Sequence, residues 1–344
     1  MPLHYVVPLK KKTASDPARE MNQRGSLAGR GLLKWFNDQM REILYQAELH
    51  YTVLEEIRLR ANQPLLIRLT GRDVFLNAEG VEVGPSQAYR VTSEDLSETL
   101  ERLTQSSIYA AEEEIRQGFL TLPGGHRVGI TGEAVLQQGR VQTLKHITGL
   151  NFRVAKEAKG FGLNLLPFLT TSEGRLFHTL ILSMPRAGKT TLLRSLIRLL
   201  SDGVPELNLQ GQTVGVVDER GELAGMWQGV PGFNLGVRTD ILDGCPKAVG
   251  MSMLIRAMAP QIVAVDELGQ DEDALAVTEA LRSGVSVLST AHASSLAEAR
   301  ARPSLERLLT AGVFERLVIL SRREGPGTIE GVLDLTSGQS LLGR

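Results

Sequence analysis

The sequence predicts an α/β protein whose C-terminal part is a parallel sheet with helices on both faces, and three observations predict it. From residue 177 onward, short apolar runs alternate with segments of helical periodicity, the pattern of consecutive βαβ units. Two of those runs end in adjacent carboxylates, Asp218-Glu219 and Asp266-Glu267, as buried parallel strands do when they present acids at their carboxyl edge. Between the first run and the first helix stands Ser183-Met-Pro-Arg-Ala-Gly-Lys-Thr-Thr191, which has the form of a phosphate-binding loop.

Taken from the N-terminus, residues 1–30 are rich in Lys, Arg, Ser, Pro and Gly and show no periodicity, so a flexible basic tail is expected. Its Lys10-Lys11-Lys12 cluster reads as solvated rather than as a lipid contact. Leu33, Phe36, Met40, Ile43 and Leu44 recur at helical spacing and predict one helix over Leu32–Ala47. Val53–Arg60 and Pro64–Leu69 alternate apolar with charged residues as strands do, and Thr92–Leu103 returns to helical spacing. Gly124-Gly125 marks a hairpin turn entering a strand that runs to Ile130. These pieces predict a smaller α/β N-terminal domain over 31–158. Gly160, Gly162, Pro167 and Gly174 then break the pattern, and a second domain, 159–344, follows. Its predicted order is strand Phe177–Leu182, helix Lys189–Leu200, strand Thr213–Val217, helix Ala248–Met258, strand Ile262–Val265, helix Glu272–Ser283 and strand Val285–Thr290.

Composition narrows the function classes. A chain of 344 residues can build two cores, and 42% hydrophobic with 22% charged residues is ordinary for a globular protein. The formal net charge of -1, with no stripe of basic and aromatic side chains, argues against a nucleic-acid partner. Cys245 stands alone, so no internal disulfide forms, and a reducing cytoplasmic compartment is expected. None of the six histidines has metal-ligand spacing. No apolar run reaches the roughly 18 residues of a membrane span. The N-terminal charge order is the reverse of a secretory signal's, so any membrane role is expected to come through partners or the surface.

In the loop, backbone N–H groups are expected to aim at the β-phosphate while the helix N-terminus adds partial positive charge. Lys189 would span the β- and γ-phosphates, and Thr190 would give its hydroxyl to Mg²⁺. The nucleotide-contacting set is Ser183, Pro185, Arg186, Ala187, Gly188, Lys189, Thr190 and Thr191. Serine stands where the usual pattern opens with glycine, and because serine adopts positive φ less readily, a slightly strained loop or modest affinity is expected. Asp266 is placed to hold the Mg²⁺ shell, and Glu267 to orient or polarise the attacking water. Asp218 and Glu219 are expected to face the γ-phosphate as a second pair, one of them sharing the role of Glu267. Thr290 or His292, at the end of the next strand, would sense the γ-phosphate. Arg238, Arg256, Arg127 and Arg153 are candidates for a cation that reaches a neighbouring subunit's phosphate.

Glu55-Glu-Ile-Arg-Leu-Arg60, Gly125-His-Arg-Val-Gly-Ile-Thr-Gly132, Gly149-Leu-Asn-Phe-Arg-Val-Ala155, Val217-Asp-Glu-Arg220, Gly229-Val-Pro231, Arg238-Thr-Asp240, Leu242-Asp-Gly-Cys-Pro-Lys247 and Val265-Asp-Glu267 form a set of motifs. Together they resemble the stage III sporulation protein AA family, a branch of the secretion ATPase superfamily. The resemblance runs from about Leu33 to the C-terminus. It implies a RecA-like P-loop ATPase core behind the N-terminal domain, using ATP and Mg²⁺. It also implies a homo-oligomeric ring, expected to be a hexamer, with ATP bound between subunits. By the same resemblance Asp218 and Glu219 fall on an acidic box, Glu267 on the second-strand glutamate, His292 on a histidine box, and Arg238 and Arg256 on arginines lining the nucleotide interface. Many secretion ATPases carry Gly-Glu where this chain has Asp266-Glu267, which makes its Mg²⁺ site more like that of general RecA-type enzymes. The implied setting is the mother-cell side of the forespore, peripheral to a membrane and docked to channel proteins that the ATPase energises. Two other readings stay open: a nucleotide-dependent assembly switch with little turnover, which Ser183 favours, and a nucleic-acid-dependent ATPase, which the charge disfavours.

Overall fold

The computed structural model describes residues 31–104, 112–137, 139–156 and 160–342. The predicted basic tail, 1–30, lies outside the described residues. By its contacts the chain divides into two compact units, Met1–Lys156 and Glu157–Arg344.

The first unit contains α1 (Asp38–Gln46), β1 (Leu54–Arg60), β2 (Leu66–Leu69), β3 (Arg72–Leu76), β4 (Glu82–Val83), α2 (Ser93–Leu103), α3 (Glu112–Gln117), β5 (Phe119–Leu122), β6 (His126–Gln137) and β7 (Arg140–Arg153). Its strands form one sheet in the order β4-β3-β2-β1-β7-β6-β5, antiparallel throughout. The single helix predicted over Leu32–Ala47 is instead a short turn, Leu32–Trp35, followed by α1. Asn37 causes the break. Its side chain accepts the Met40 N–H at 3.1 Å as a helix N-cap, while its Nδ2 donates to Asp95 at 2.8 Å. Helix α2 starts at a capping box in which Thr92 and Asp95 satisfy each other's backbone N–H groups.

The second unit runs α4 (Leu166–Leu169), β8 (Thr179–Ser183), α5 (Lys189–Asp202), β9 (Val214–Asp218), β10 (Thr239–Asp243), α6 (Lys247–Met258), β11 (Ile262–Val265), α7 (Asp271–Arg282), β12 (Ser286–His292), α8 (Leu296–Arg300), α9 (Pro303–Thr310), β13 (Arg316–Ser321) and β14 (Thr328–Asp334). The strand order is β10-β9-β11-β12-β8-β13-β14, parallel except for the last pair. Alternate strand residues enter opposite cores, as the two-residue strand period requires. Ile181, Val214, Val216, Ile262 and Ala264 pack with Leu192, Leu193, Leu196 and Leu200 of α5. Leu180, Leu182, Val217, Val263 and Val265 pack with Leu254 of α6, Val277 of α7 and Leu308 of α9. Helices therefore cover both faces, as predicted. β12 lies between β8 and β11, with His292 opposite Ser183 and Ser289 opposite Val265, so three strand ends meet at one edge.

Candidate functional site

The loop after β8 turns through two left-handed residues. Arg186 has φ 61° and Gly188 has φ 93°. A Cβ at Gly188 would sit 3.2 Å from the Gly327 nitrogen, whose N–H donates to the Ala187 carbonyl at 2.9 Å, so glycine is needed there for both dihedral and space. Ser183 itself is unstrained: it is the last residue of β8, its backbone is not left-handed, and its buried hydroxyl donates to the Met184 carbonyl at 2.8 Å, so the left-handed non-glycine residue of the loop is Arg186. Pro185 lies between the two, and Thr190 and Thr191 open the first turn of α5.

Lys189 is buried. Its ammonium stands 3.0 Å from Nδ1 of His292 and donates to the Ser183 carbonyl at 3.4 Å. Burial pushes its pKa below the ordinary lysine value, and the charges of Asp266 and Glu267 oppose that shift. An ammonium only donates, so Nδ1 accepts and the imidazole proton belongs on Nε2. That proton points at Oε1 of Glu267, 2.7 Å away. The other Glu267 oxygen accepts from Arg220 at 3.0 Å. Glu267 itself is held at φ 55°, with its N–H donating to the Thr290 hydroxyl at 2.9 Å. Thr290 donates in turn to Oδ1 of Asp266. Thr190 donates to Oδ2 of Asp266 at 2.7 Å. Lys189, Thr190, Asp266, Glu267, Thr290 and His292 thus form one hydrogen-bonded group across the ends of β8, β12 and β11.

The other expected members make different contacts. Asp218 lines a cleft with Asp266 and Glu267, but the residue is 2% exposed and its carboxylate accepts the N–H groups of Glu222 (2.8 Å), Leu223 (3.0 Å) and Ala224 (2.7 Å) of its own chain. Glu219 is paired with Lys247 at 2.5 Å and borders a cleft of about 20 Å³ together with Arg220, Asp266 and Glu267. The Arg238 guanidinium donates to the Ser201 carbonyl at 2.9 Å in the last turn of α5, a structural duty within the chain. Arg256 stays on the surface of α6, 3.2 Å from Glu279. In the first unit, the Arg127 guanidinium lies over the Phe119 ring at 4.3 Å. Sequence reasoning gave no role to Arg220, although it stood inside a quoted motif, or to Gly327, for which no local signal exists.

A mainly parallel sheet with its phosphate loop between β8 and α5 defines the class: a RecA-like P-loop NTPase fold. Within that class the chain belongs to the family described as sporulation stage III, protein AA, whose model matches residues 30–340. It is 41% identical over 287 residues to Stage III sporulation protein AA of Bacillus subtilis (strain 168), covering 83% of this chain and 89% of that protein. Its fold is similar to that of the ATPase DotB from Legionella pneumophila, with a TM-score of 0.54 and 16% identity over 81% of this chain and 75% of that one. The Yersinia pseudotuberculosis ATPase DotB gives a TM-score of 0.55 at 12% identity, covering 98% and 85%. Among the described residues no helix is long and apolar enough to cross a membrane.

Proposed function

We propose that this chain binds ATP with Mg²⁺ and hydrolyses it as a ring motor, expected to be hexameric, that energises a membrane channel of sporulation from its cytoplasmic face. The 159–344 domain carries the nucleotide, and 31–158 is a separate domain. The observation that supports this best is the unbroken chain from the Lys189 ammonium through the His292 ring to the Glu267 carboxylate. Such a chain lets the group that holds a γ-phosphate and the group that polarises water respond to each other. The cleft of about 20 Å³ bordered by Glu219, Arg220, Lys247, Asp266 and Glu267 has room for one water.

The Thr190 hydroxyl and Asp266 carboxylate are oxygen donors 2.7 Å apart, the chemistry that suits Mg²⁺, and these residues would hold it. When bound, the metal neutralises developing phosphate charge. Arg256, exposed on α6, is better placed than Arg238 to reach a neighbour's nucleotide.

Steady-state ATP turnover of the purified chain is the test, with native mass spectrometry in the presence and absence of Mg-ATP. Lys189→Ala is expected to abolish nucleotide binding. Glu267→Gln should keep binding and lose turnover by at least about a hundredfold. Wild-type turnover in both variants would sink the reading. A chain that stays monomeric with Mg-ATP would remove the ring.

A further inference from the structure

Glu267 is held more firmly than a water-polarising carboxylate requires. It follows β11, and β11 lies between β9 and β12 in the sheet. Each neighbour sends it a donor: Oε1 accepts the His292 Nε2–H at 2.7 Å from the end of β12, and Oε2 accepts from Arg220, just after β9, at 3.0 Å. Its backbone, at φ 55°, is pinned as well, because its N–H donates to the Thr290 hydroxyl. A carboxylate with a donor on each oxygen has its plane fixed. Neither oxygen can turn to a new partner without losing a bond.

The two donors differ in what releases them. The His292 ring is tied through Nδ1 to the Lys189 ammonium, so its hold answers to whatever occupies the phosphate loop. Arg220 answers to the solvent side. Its side chain is 66% exposed, against 28% for Glu267, and an exposed ion pair is weak enough to open readily. Arg220 and Glu267 also border the same cleft of about 20 Å³, the space for one water. The guanidinium therefore competes with that water for Oε2.

While its side chain is exposed, the backbone that carries Arg220 is fixed on both sides. Asp218, two residues before it, takes the N–H groups of Glu222, Leu223 and Ala224, two to four residues after it. Glu219, next to it in sequence, has a cation of its own in Lys247. The loop thus presents one arginine to Glu267 from a set position, on a side chain that is able to swing away.

Resting on the reading of Glu267 as the group that polarises water, we propose that Arg220 is a positioning residue that restrains it: while the guanidinium holds Oε2 the carboxylate is turned from the water, and its release sets Glu267 to work. Arg220→Ala tests this. Turnover at saturating Mg-ATP should rise about fivefold, the equivalent of about 1 kcal/mol for an exposed pair at 1.4 kcal/mol per tenfold. KM and the calorimetric affinity for Mg-ATP should not change. Arg220→Lys, which keeps the cation, should rise less. A readout without nucleotide is the His292 ring, followed by NMR on the full chain carrying ¹⁵N-histidine. Its Nε2–H should exchange with water several-fold faster in Arg220→Ala, where Glu267 is held at one end only. Turnover that falls or stays level in Arg220→Ala, or an unchanged exchange rate for that proton, would overturn the restraint. A wild type without turnover, or full turnover in Glu267→Gln, would sink the reading of Glu267 itself.

Discussion

Replacing Asp218 by alanine separates an anchoring role from a role at the nucleotide. Its Oδ2 accepts the N–H groups of Leu223 and Ala224, both fully buried, and its Oδ1 accepts that of the half-buried Glu222. Alanine leaves two donors that water does not reach, and at about 1–3 kcal/mol each the loss is roughly 2–6 kcal/mol. The Glu222 amide can turn to water and adds little. Asp218→Asn keeps one oxygen for the two buried amides and should lose less, about 1 kcal/mol. Hydrogen exchange read by mass spectrometry over 219–235 is the assay, with a urea midpoint beside it. At 1.4 kcal/mol per tenfold, the smallest expected loss corresponds to about thirtyfold faster exchange at Leu223 and Ala224. Unchanged exchange and an unchanged midpoint, together with a fall in ATP turnover, would refute the anchor and return Asp218 to the phosphates.

Arg238→Ala should lower the thermal midpoint of the isolated subunit, because the guanidinium serves the Ser201 carbonyl; loss of turnover only in assembled rings, with monomer stability intact, would restore the trans role. Just before β13, burial alone would raise the Glu315 carboxyl, but the Arg175 guanidinium and the His178 N–H outweigh burial and hold it below the ordinary glutamate value. A carboxyl depressed in the folded state stabilises above its unfolded pKa, about 4.3, and loses that contribution as pH falls through the folded value. Glu315→Gln should therefore lower the urea midpoint at neutral pH and converge with the wild type in acid, and a gap independent of pH would contradict this. Burial, with the hydrogen bond to Asp95, pushes Tyr89 up to about 12. Its contribution is complete below the unfolded value near 10 and is lost as pH rises through the folded one. An ultraviolet titration should show one late tyrosinate step that Tyr89→Phe removes, and identical curves for the two would refute it.

The parallel sheet was readable because its strands are buried on both faces and so become unbroken apolar runs: every residue of Thr179–Ser183, Val214–Asp218 and Ile262–Val265 is buried. β10 escaped because it is an edge strand of half-exposed residues, Thr-Asp-Ile-Leu-Asp, with neither alternation nor a run. The break before α1 escaped because Asn37 finds Asp95 far along the chain, and no local pattern announces that pairing. In the candidate site, the residues beside strand ends were legible: Lys189, Thr190, Asp266, Glu267 and His292 all stand within two residues of one or open the helix that follows. Gly327 was not, because its contact with the phosphate loop joins segments with no local relation in sequence. The motif pointed to a strained loop but not to the residue: Ser183 is held extended by membership of β8, and the left-handed non-glycine backbone falls on Arg186.

The two acid pairs show why such motifs need the sheet before they mean anything. Asp218-Glu219 and Asp266-Glu267 end similar apolar strands, yet only the second pair acts on the Lys189 ammonium. Strand order decides it. With neighbours about 4.8 Å apart, β12 is one step from β8, β11 two and β9 three. Lys189 reaches the first step, His292, and the imidazole carries the connection one strand further to Glu267. From the end of β9 only Arg220 answers, donating to the other Glu267 oxygen at 3.0 Å, while the two carboxylates there are taken up by other partners. Residues 222–224 fold back over Asp218 and take its oxygens, and Glu219 turns to Lys247. A carboxylate pair after a buried strand is thus a chemical signal only when that strand lies within one bridging side chain of the phosphate loop.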